Sequence, residues 1–138
     1  MTTTHQGLRI ETRKKSETID ITERVAEKVS EAKVRDGICL IAVMHTTAGV
    51  FVNENADPDV PRDLLATLTR LVPDDGDYRH AEGNGPAHIK SVLVGGHIAL
   101  PIRDGALELG RWQGIFFVEF DGPRARSATV TILGQRSS

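Results

Sequence analysis

The sequence predicts an α+β domain built mainly of antiparallel strands, with two or three helices. Three observations carry that reading. Short apolar or alternating runs recur from residues 8–13 to residues 129–133, and each has the length of one strand. The second half holds turn signals of the kind that join antiparallel neighbours, Arg103-Asp104-Gly105 and Asp121-Gly122-Pro123-Arg124. The segments with helical spacing do not alternate with strands in the βαβ manner that builds a parallel sheet. With 138 residues, 39% hydrophobic and 26% charged, the chain reads as a single domain over residues 1–138, large enough to bury a core without staples.

The elements follow in order. Residues 8–13 alternate apolar and polar, as in a half-buried strand, and Ile19 and Ile21 resume the pattern after a polar break. A helix is expected over residues 20–34. Asp20 and Glu23 have capping-box spacing, Val25, Val29 and Ala32 share a face, and Asp36-Gly37 closes it. Residues 38–44 are continuously apolar, a buried strand with Cys39 inside it as a small hydrophobe. Residues 49–54 form a further strand. Asp57 to Pro61 then open a second helix, with acids and prolines in the turn whose N–H groups lack partners. Leu64, Leu65, Leu68, Leu71 and Val72 give it an apolar face, and Pro73 stops it.

Residues 73–86 form a polar, glycine-containing loop of a length that usually signals function or disorder. Residues 87–94 read as a short amphipathic helix or strand, with the helix favoured. Strands at 98–102 and 106–109 flank Arg103-Asp104-Gly105, and strands at 115–120 and 129–133 flank the Asp121–Arg124 turn.

Composition excludes several classes. The formal net charge of −2 gives no electrostatic case for nucleic acid or an anionic membrane. A single cysteine rules out an internal disulfide and fits a cytoplasmic setting. The first residues contain no apolar core of a secretory signal, and no apolar run approaches the roughly 20 residues of a membrane span.

Three histidines stand in company that favours chemistry: His45 before Thr46-Thr47, His80 after Tyr78-Arg79, and His88 after Asn84-Gly85-Pro86-Ala87. Imidazole titrates near neutrality and is a common metal ligand and general acid/base. No compact metal motif links them, so a shared site requires the fold to bring them together. Glu119 lies in the otherwise apolar run 115–120. Facing inward, it needs an arginine, a histidine or a metal; facing outward, it needs nothing. Asn53, Glu54 and Asn55 follow a strand, and Asp63 starts a helix and could point back. Trp112 beside Gln113 could stack on a planar ring or anchor the core. Arg124 and Arg126 carry forks suited to phosphate or carboxylate.

The ordered set of His45-Thr-Thr-Ala, Asn53-Glu54-Asn55, Asp57-Pro58-x-Val60, Asp63, Tyr78-x-His80, Gly83-Asn84, Ala87-His88-Ile89-Lys90, Leu109-Gly110-x-Trp112-Gln113 and Glu119-Phe120-Asp121-Gly122-Pro123-Arg124-x-Arg126 resembles the YjbQ-like family across nearly the whole chain. These are small bacterial and archaeal proteins called secondary thiamine-phosphate synthases. The one departure, Gly85-Pro86 in place of small residues, pre-sets the entry to the next segment and touches no proposed ligand.

The resemblance implies a β-sandwich of the α+β class, a homotrimer, and a polar pocket near subunit boundaries. It also implies condensation of hydroxymethylpyrimidine diphosphate with thiazole phosphate to give thiamine phosphate and diphosphate. His45, His80, His88, Glu119 and Asp63 are then the expected catalytic groups. Asn53, Asn84, Lys90, Trp112, Gln113, Arg124 and Arg126 are the expected substrate contacts. A divalent ion, magnesium or zinc, on His45, His80 and His88 is compatible with it, and no organic cofactor is expected. Two other readings use the same donors: a metal-dependent hydrolase of a small phosphorylated or acylated metabolite, and a non-catalytic phosphometabolite-binding protein.

Overall fold

The computed structural model describes residues 1–136. Eight strands and three helices follow one another as β1 (Thr2–Glu11), β2 (Glu17–Asp20), α1 (Thr22–Ala32), β3 (Val34–Val43), β4 (Ala48–Glu54), α2 (Asp59–Leu71), α3 (Gly85–Val94), β5 (His97–Arg103), β6 (Ala106–Leu107), β7 (Gln113–Glu119) and β8 (Ala125–Arg136). The strands form two antiparallel sheets. The larger runs β1-β8-β3-β5-β6 and the smaller β2-β7-β4. The predicted α+β class holds.

Alternation along the strands explains the layering. Leu8 and Ile10 of β1, Cys39 and Ile41 of β3, Ile115 and Phe117 of β7, and Ala128, Val130 and Ile132 of β8 are all buried in one cluster between the sheets. Helix α1 adds Val25, Val29 and Ala32 to this cluster. Cys39 is fully buried, as expected of a small hydrophobe, and burial pushes its thiol pKa up to about 11. The other face of the small sheet carries Val118 and Phe120. These pack with Leu68 of α2 and Ala87 of α3 into a second, smaller cluster. Helices α2 and α3 therefore cover β7 and β4 from outside.

Several boundaries differ from expectation. Strand β1 starts at Thr2, because the threonine-rich segment pairs in continuous register with β8, from Thr2↔Gly134 to Glu11↔Ala125. Helix α1 ends at Ala32, where Lys33 turns left-handed (φ 55°), so Asp36-Gly37 lies inside β3 at a register shift. Asp20 accepts hydrogen bonds from the Thr22 backbone N–H (2.9 Å) and hydroxyl, and Glu23 completes no capping box. Leu71 is 70% exposed, one position off the face that buries Leu68 and Val72 at i, i+4 spacing. The Arg103–Gly105 signal does form a hairpin. Ile102 pairs with Leu107 and Arg103 with Ala106, while Asp104 and Gly105 both take positive φ, as a two-residue turn requires.

The Asp121–Arg124 turn does not close a hairpin. Strand β7 pairs with β2 and β4, whereas β8 pairs with β1 and β3. The turn instead carries the chain from one sheet to the other. Everything of functional interest in this region follows from that crossing.

Candidate functional site

The crossing between sheets places Glu119, the last residue of β7, opposite Arg126, the second residue of β8. Odd-numbered residues of β7 and even-numbered residues of β8 face the space between the sheets, so both side chains enter it. Glu119 is fully buried and Arg126 is 5% exposed. Arg126 Nε donates to Glu119 Oε1 at 2.8 Å and its Nη2 donates to Oε2, a two-pronged pair. Thr12 Oγ1 donates to Oε1 at 2.7 Å, and the Asp121 N–H donates to Oε2 at 3.1 Å. Arg126 Nη2 also donates to Thr47 Oγ1 at 2.8 Å and to the Thr47 carbonyl at 3.3 Å. Burial alone would raise the Glu119 pKa. The hydrogen bonds from Arg126, Thr12 and the Asp121 N–H outweigh burial and hold it below the usual glutamate range. Of the two orientations the sequence allows, Glu119 takes the inward one, with an arginine partner.

The same turn organises Arg124 and Asn84. Arg124 donates from Nε to the Asp121 carbonyl at 2.7 Å and from Nη2 to the Asp121 carboxylate at 2.8 Å. Asn84, at the cap of α3, donates from Nδ2 to the same carboxylate oxygen at 2.8 Å, while its buried Oδ1 has no partner. Lys15, Asp74, Glu82, Asn84, Phe120, Asp121 and Arg124 are among the residues that line a cavity of about 170 Å³. Lys90 lies one turn into α3 and is 4% exposed; its Nζ sits 5.9 Å from the Phe120 ring centroid. No carboxylate or hydrogen-bond acceptor partners it among the described residues. A lysine head over an aromatic face gains a cation–π attraction.

The three histidines do not meet within one chain. His45 follows β3, and its Nε2 accepts the Ser127 backbone N–H at 2.9 Å, which puts the ring proton on Nδ1. Burial first, then the charges of Arg126 and Arg124 working against Glu119, lower its pKa below the usual histidine value. His80 and His88 pair with each other, edge to face at 4.9 Å between ring centroids. They line a cleft of about 400 Å³ with Tyr78, Gly85 and Ile89. Glu82 Oε2 lies 3.6 Å from His80 Nε2. Among the described residues, no three His, Cys, Asp or Glu side chains are placed to hold a metal. A three-histidine ion site therefore does not fit a single subunit.

Asn53 and Asp63 fall into a third place, a cleft between β4 and α2 with Phe51 and Leu64. Trp112 is 57% exposed, with the Arg111 guanidinium 5.0 Å from its ring, so it does not anchor the core. Gln113 uses its Oε1 to accept the Gly110 N–H at 2.7 Å, which makes it a turn brace in this structure. Sequence reasoning passed over Thr12, Lys15, Asp121 and Ser127. Thr12 carried one signal, since it ends the inward series Leu8, Ile10, Thr12 with a hydroxyl.

The whole of this framework is matched by one protein family, whose model, described as UPF0047 protein YjbQ-like, covers residues 6–135. The chain belongs to that family. A UPF0047 protein of Methanocaldococcus jannaschii is 51% identical over 127 residues, 92% of each chain. The UPF0047 protein YugU of Bacillus subtilis is 45% identical over 128 residues, 92% of this chain and 97% of the other. Among solved structures, a YjbQ/UPF0047 family protein of Clostridium acetobutylicum superposes with a TM-score of 0.91 at 48% identity, covering 93% of this chain and 99% of that one. A YbjQ-like protein of unknown function from Sulfolobus solfataricus gives 0.94 at 34% identity, covering 97% and 99%. The YjbQ-like fold thus accounts for both sheets and the crossing between them.

Proposed function

We propose that the protein is a transferase of the thiamine-phosphate synthase type, which joins hydroxymethylpyrimidine diphosphate to thiazole phosphate. The observation that carries this reading is the cavity of mixed charge at the start of α3, where Lys15 and Arg124 face Asp74, Glu82 and Asp121. In the reaction the thiazole nitrogen forms a bond to the pyrimidine methylene carbon. The carbon–oxygen bond to diphosphate breaks, and its electron pair leaves with the diphosphate. The protein's task is to neutralise that leaving group and to orient the two rings.

The side chains suit the task. Arg124 spends two of its five N–H donors on Asp121, which leaves three for a phosphate while fixing the direction of the fork. Lys90 does not line the cavity, but its Nζ sits 5.9 Å from the ring centroid of Phe120, which does, so it adds a second basic group close by. The buried Glu119–Arg126 pair and Thr12, whose Oγ1 accepts the Arg124 N–H at 2.8 Å, hold the turn that presents Arg124. A magnesium ion carried on the diphosphate needs only one or two protein carboxylates, and Asp74, Glu82 and Asp121 are of the right kind. Such an ion would offset charge on the departing diphosphate.

Assembly belongs to the same proposal. Ile38, Leu40 and Leu133 are 51%, 37% and 42% exposed on the outer face of the large sheet, and Ile89, Val92 and Leu93 are exposed on α3. A homotrimer would cover apolar surface of this kind. It would also give His45 of one subunit a route to the His80–His88 pair of another.

The test is to incubate the purified protein with both substrates and magnesium and to measure thiamine phosphate by its thiochrome fluorescence. Product that rises with enzyme concentration is expected. Phosphate release from either substrate alone, without coupling, would replace this reading with the hydrolase. Saturable binding with neither product would replace it with a binding protein.

A further inference from the structure

Strand β1 is the outer strand of the large sheet, and it pairs with β8 alone in one unbroken register. Thr12 continues that ladder, its N–H donating to the Arg124 carbonyl at 2.9 Å. The even-numbered residues of β1 therefore turn their backbone groups toward β8, and the odd-numbered ones turn theirs to the open edge. Arg24 fits the same parity, since its Nη2 donates to the Arg9 carbonyl at 2.6 Å from outside the sheet. Among the described residues no other hydrogen bond reaches that edge, so the N–H and C=O groups of Thr3, His5 and Gly7 stand unpaired. Native edges are commonly guarded by proline, lysine, a bulge or a covering segment. Residues 2–7, Thr-Thr-Thr-His-Gln-Gly, hold neither proline nor lysine, and their register has no bulge. Charge begins only at Arg9, which is paired with Glu11 on its own strand.

The open stretch is complementary to itself. In an antiparallel pairing about Gln6, His5 of one copy stands opposite Gly7 of the other, and Gly7 opposite His5. Both residues point their backbone groups outward, so four N–H···O=C bonds close between them. A Cβ on Gly7 would have nothing within 4 Å, which leaves room on the outer face for the opposing histidine. The half-buried Gln6 side chains meet across the two-fold axis on the inner face, where each amide can both donate and accept. No like charges oppose each other over residues 3–7 of the two copies.

We propose that this edge is a self-association surface, to which β1 of a second copy adds antiparallel about Gln6, joining two large sheets into one. The occupant is a second copy because the open backbone groups, the gap at Gly7 and the Gln6 amide are all disposed symmetrically about one point. Arg24 sets the end of the ladder by covering the Arg9 carbonyl. A single strand edge buries far less than the roughly 1,200–2,000 Å² of stable complexes, so the contact is of the weak, reversible class. It uses none of the residues assigned to the reaction, and it stands whether or not the synthase reading does.

The experiment follows amide hydrogen exchange along β1 in the full chain, in dilute and in concentrated solution. In dilute solution the amides of Thr4, Gln6 and Leu8 are expected to be protected, and those of His5 and Gly7 to exchange freely. Concentration is expected to slow His5 and Gly7 at least fivefold and to leave the even-numbered amides unchanged. His5→Pro removes one outward N–H and no bond to β8, and it should keep the Gly7 amide fast at every concentration. Gly7→Lys, which fills the gap and sets a charge on the edge, should do the same for His5 and serves if the proline variant fails to fold. Exchange at His5 and Gly7 that does not change with concentration would overturn the proposal. So would slowing that persists in both variants, which would place the contact on another surface, or slowing that appears only when an unrelated extended peptide is added.

Discussion

Glu119 and Arg126 meet between the two sheets with both carboxylate oxygens engaged, Arg126 Nε lying 2.8 Å from Oε1 and Nη2 bonded to Oε2. One residue ends β7 and the other is the second of β8, so the pair pins the crossing that replaces the expected hairpin. Removing one partner leaves the other charged and buried. Arg126→Met is expected to cost about 3–5 kcal/mol in urea unfolding, because the remaining carboxylate loses its counter-ion. The double variant Glu119→Leu with Arg126→Met should be less destabilised than Arg126→Met alone. A double variant that loses more would show that the pair does not act as a unit.

Acid should destabilise the protein in two stages. The His45 pKa is lowered in the folded state, so its contribution is fully present above the unfolded value of about 6.5 and is lost as pH falls through the lower folded value. Protonation of Nε2 also breaks the bond from the Ser127 N–H. Glu119 is likewise lowered, so its contribution is present above about 4.3 and is lost at still lower pH. Unfolding free energy measured from pH 8 to pH 3 should fall in both windows, and His45→Gln should remove the upper one. An unchanged upper window in that variant would contradict the assignment.

Gly134 permits the close approach of β8 to β3. It pairs with Gly37, and a Cβ on Gly134 would stand 2.3 Å from the Asp36 carbonyl oxygen. That neighbour is backbone and cannot rotate away. Gly134→Ala should cost about 1–3 kcal/mol by calorimetry, as overpacking does. Gly7→Ala is the control, since nothing lies within 4 Å of a Cβ there.

The proposed trimer makes a prediction in sedimentation. Ile38 and Leu133 are directly paired across β3 and β8 on the exposed sheet face, with Leu40 two residues on. Leu40→Glu places a charge on that face without touching the buried core, and should convert trimer to monomer in sedimentation velocity. A wild-type protein that sediments as a monomer would remove the assembly from the account.

What the sequence made legible was mostly local. The Arg103–Gly105 hairpin could be read because two adjacent positions with positive φ define the turn and the pairing follows from it. The helix over Asp59–Leu71 could be read from its opening acids and prolines, and Asp57 Oδ1 does accept the Asp59 N–H at 2.9 Å. The Asp121–Arg124 turn misled because a turn signal states that the chain changes direction, not which sheet receives the next strand. Strand β8 joins β1 and β3, partners that begin more than eighty residues earlier, and no local pattern encodes that choice.

The histidines show the same limit from the side of function. Eight positions separate His80 from His88, yet their rings touch, because the loop folds Tyr78 against Gly85. His45 shares their chemistry and not their place, for it is held by Ser127 on β8. The inward Glu119 was readable as a carboxylate in need of a partner. Its partner Arg126 was visible only as one of two turn arginines, and the structure gives the two opposite tasks: Arg126 is buried structure and Arg124 faces the cavity.

The most direct test of the account is the initial rate of thiamine phosphate formation by the wild type, by Arg124→Ala, and by Arg103→Ala as a control. Arg103 lies outside the cavity, beside Glu108 at 3.3 Å. The wild type should form product, Arg124→Ala should lose at least tenfold in kcat/KM, equivalent to about 1.4 kcal/mol or more of transition-state stabilisation, and Arg103→Ala should keep its rate. No product from the folded wild type, or an undiminished rate in Arg124→Ala, would contradict the central claim that the cavity at the start of α3 carries the reaction.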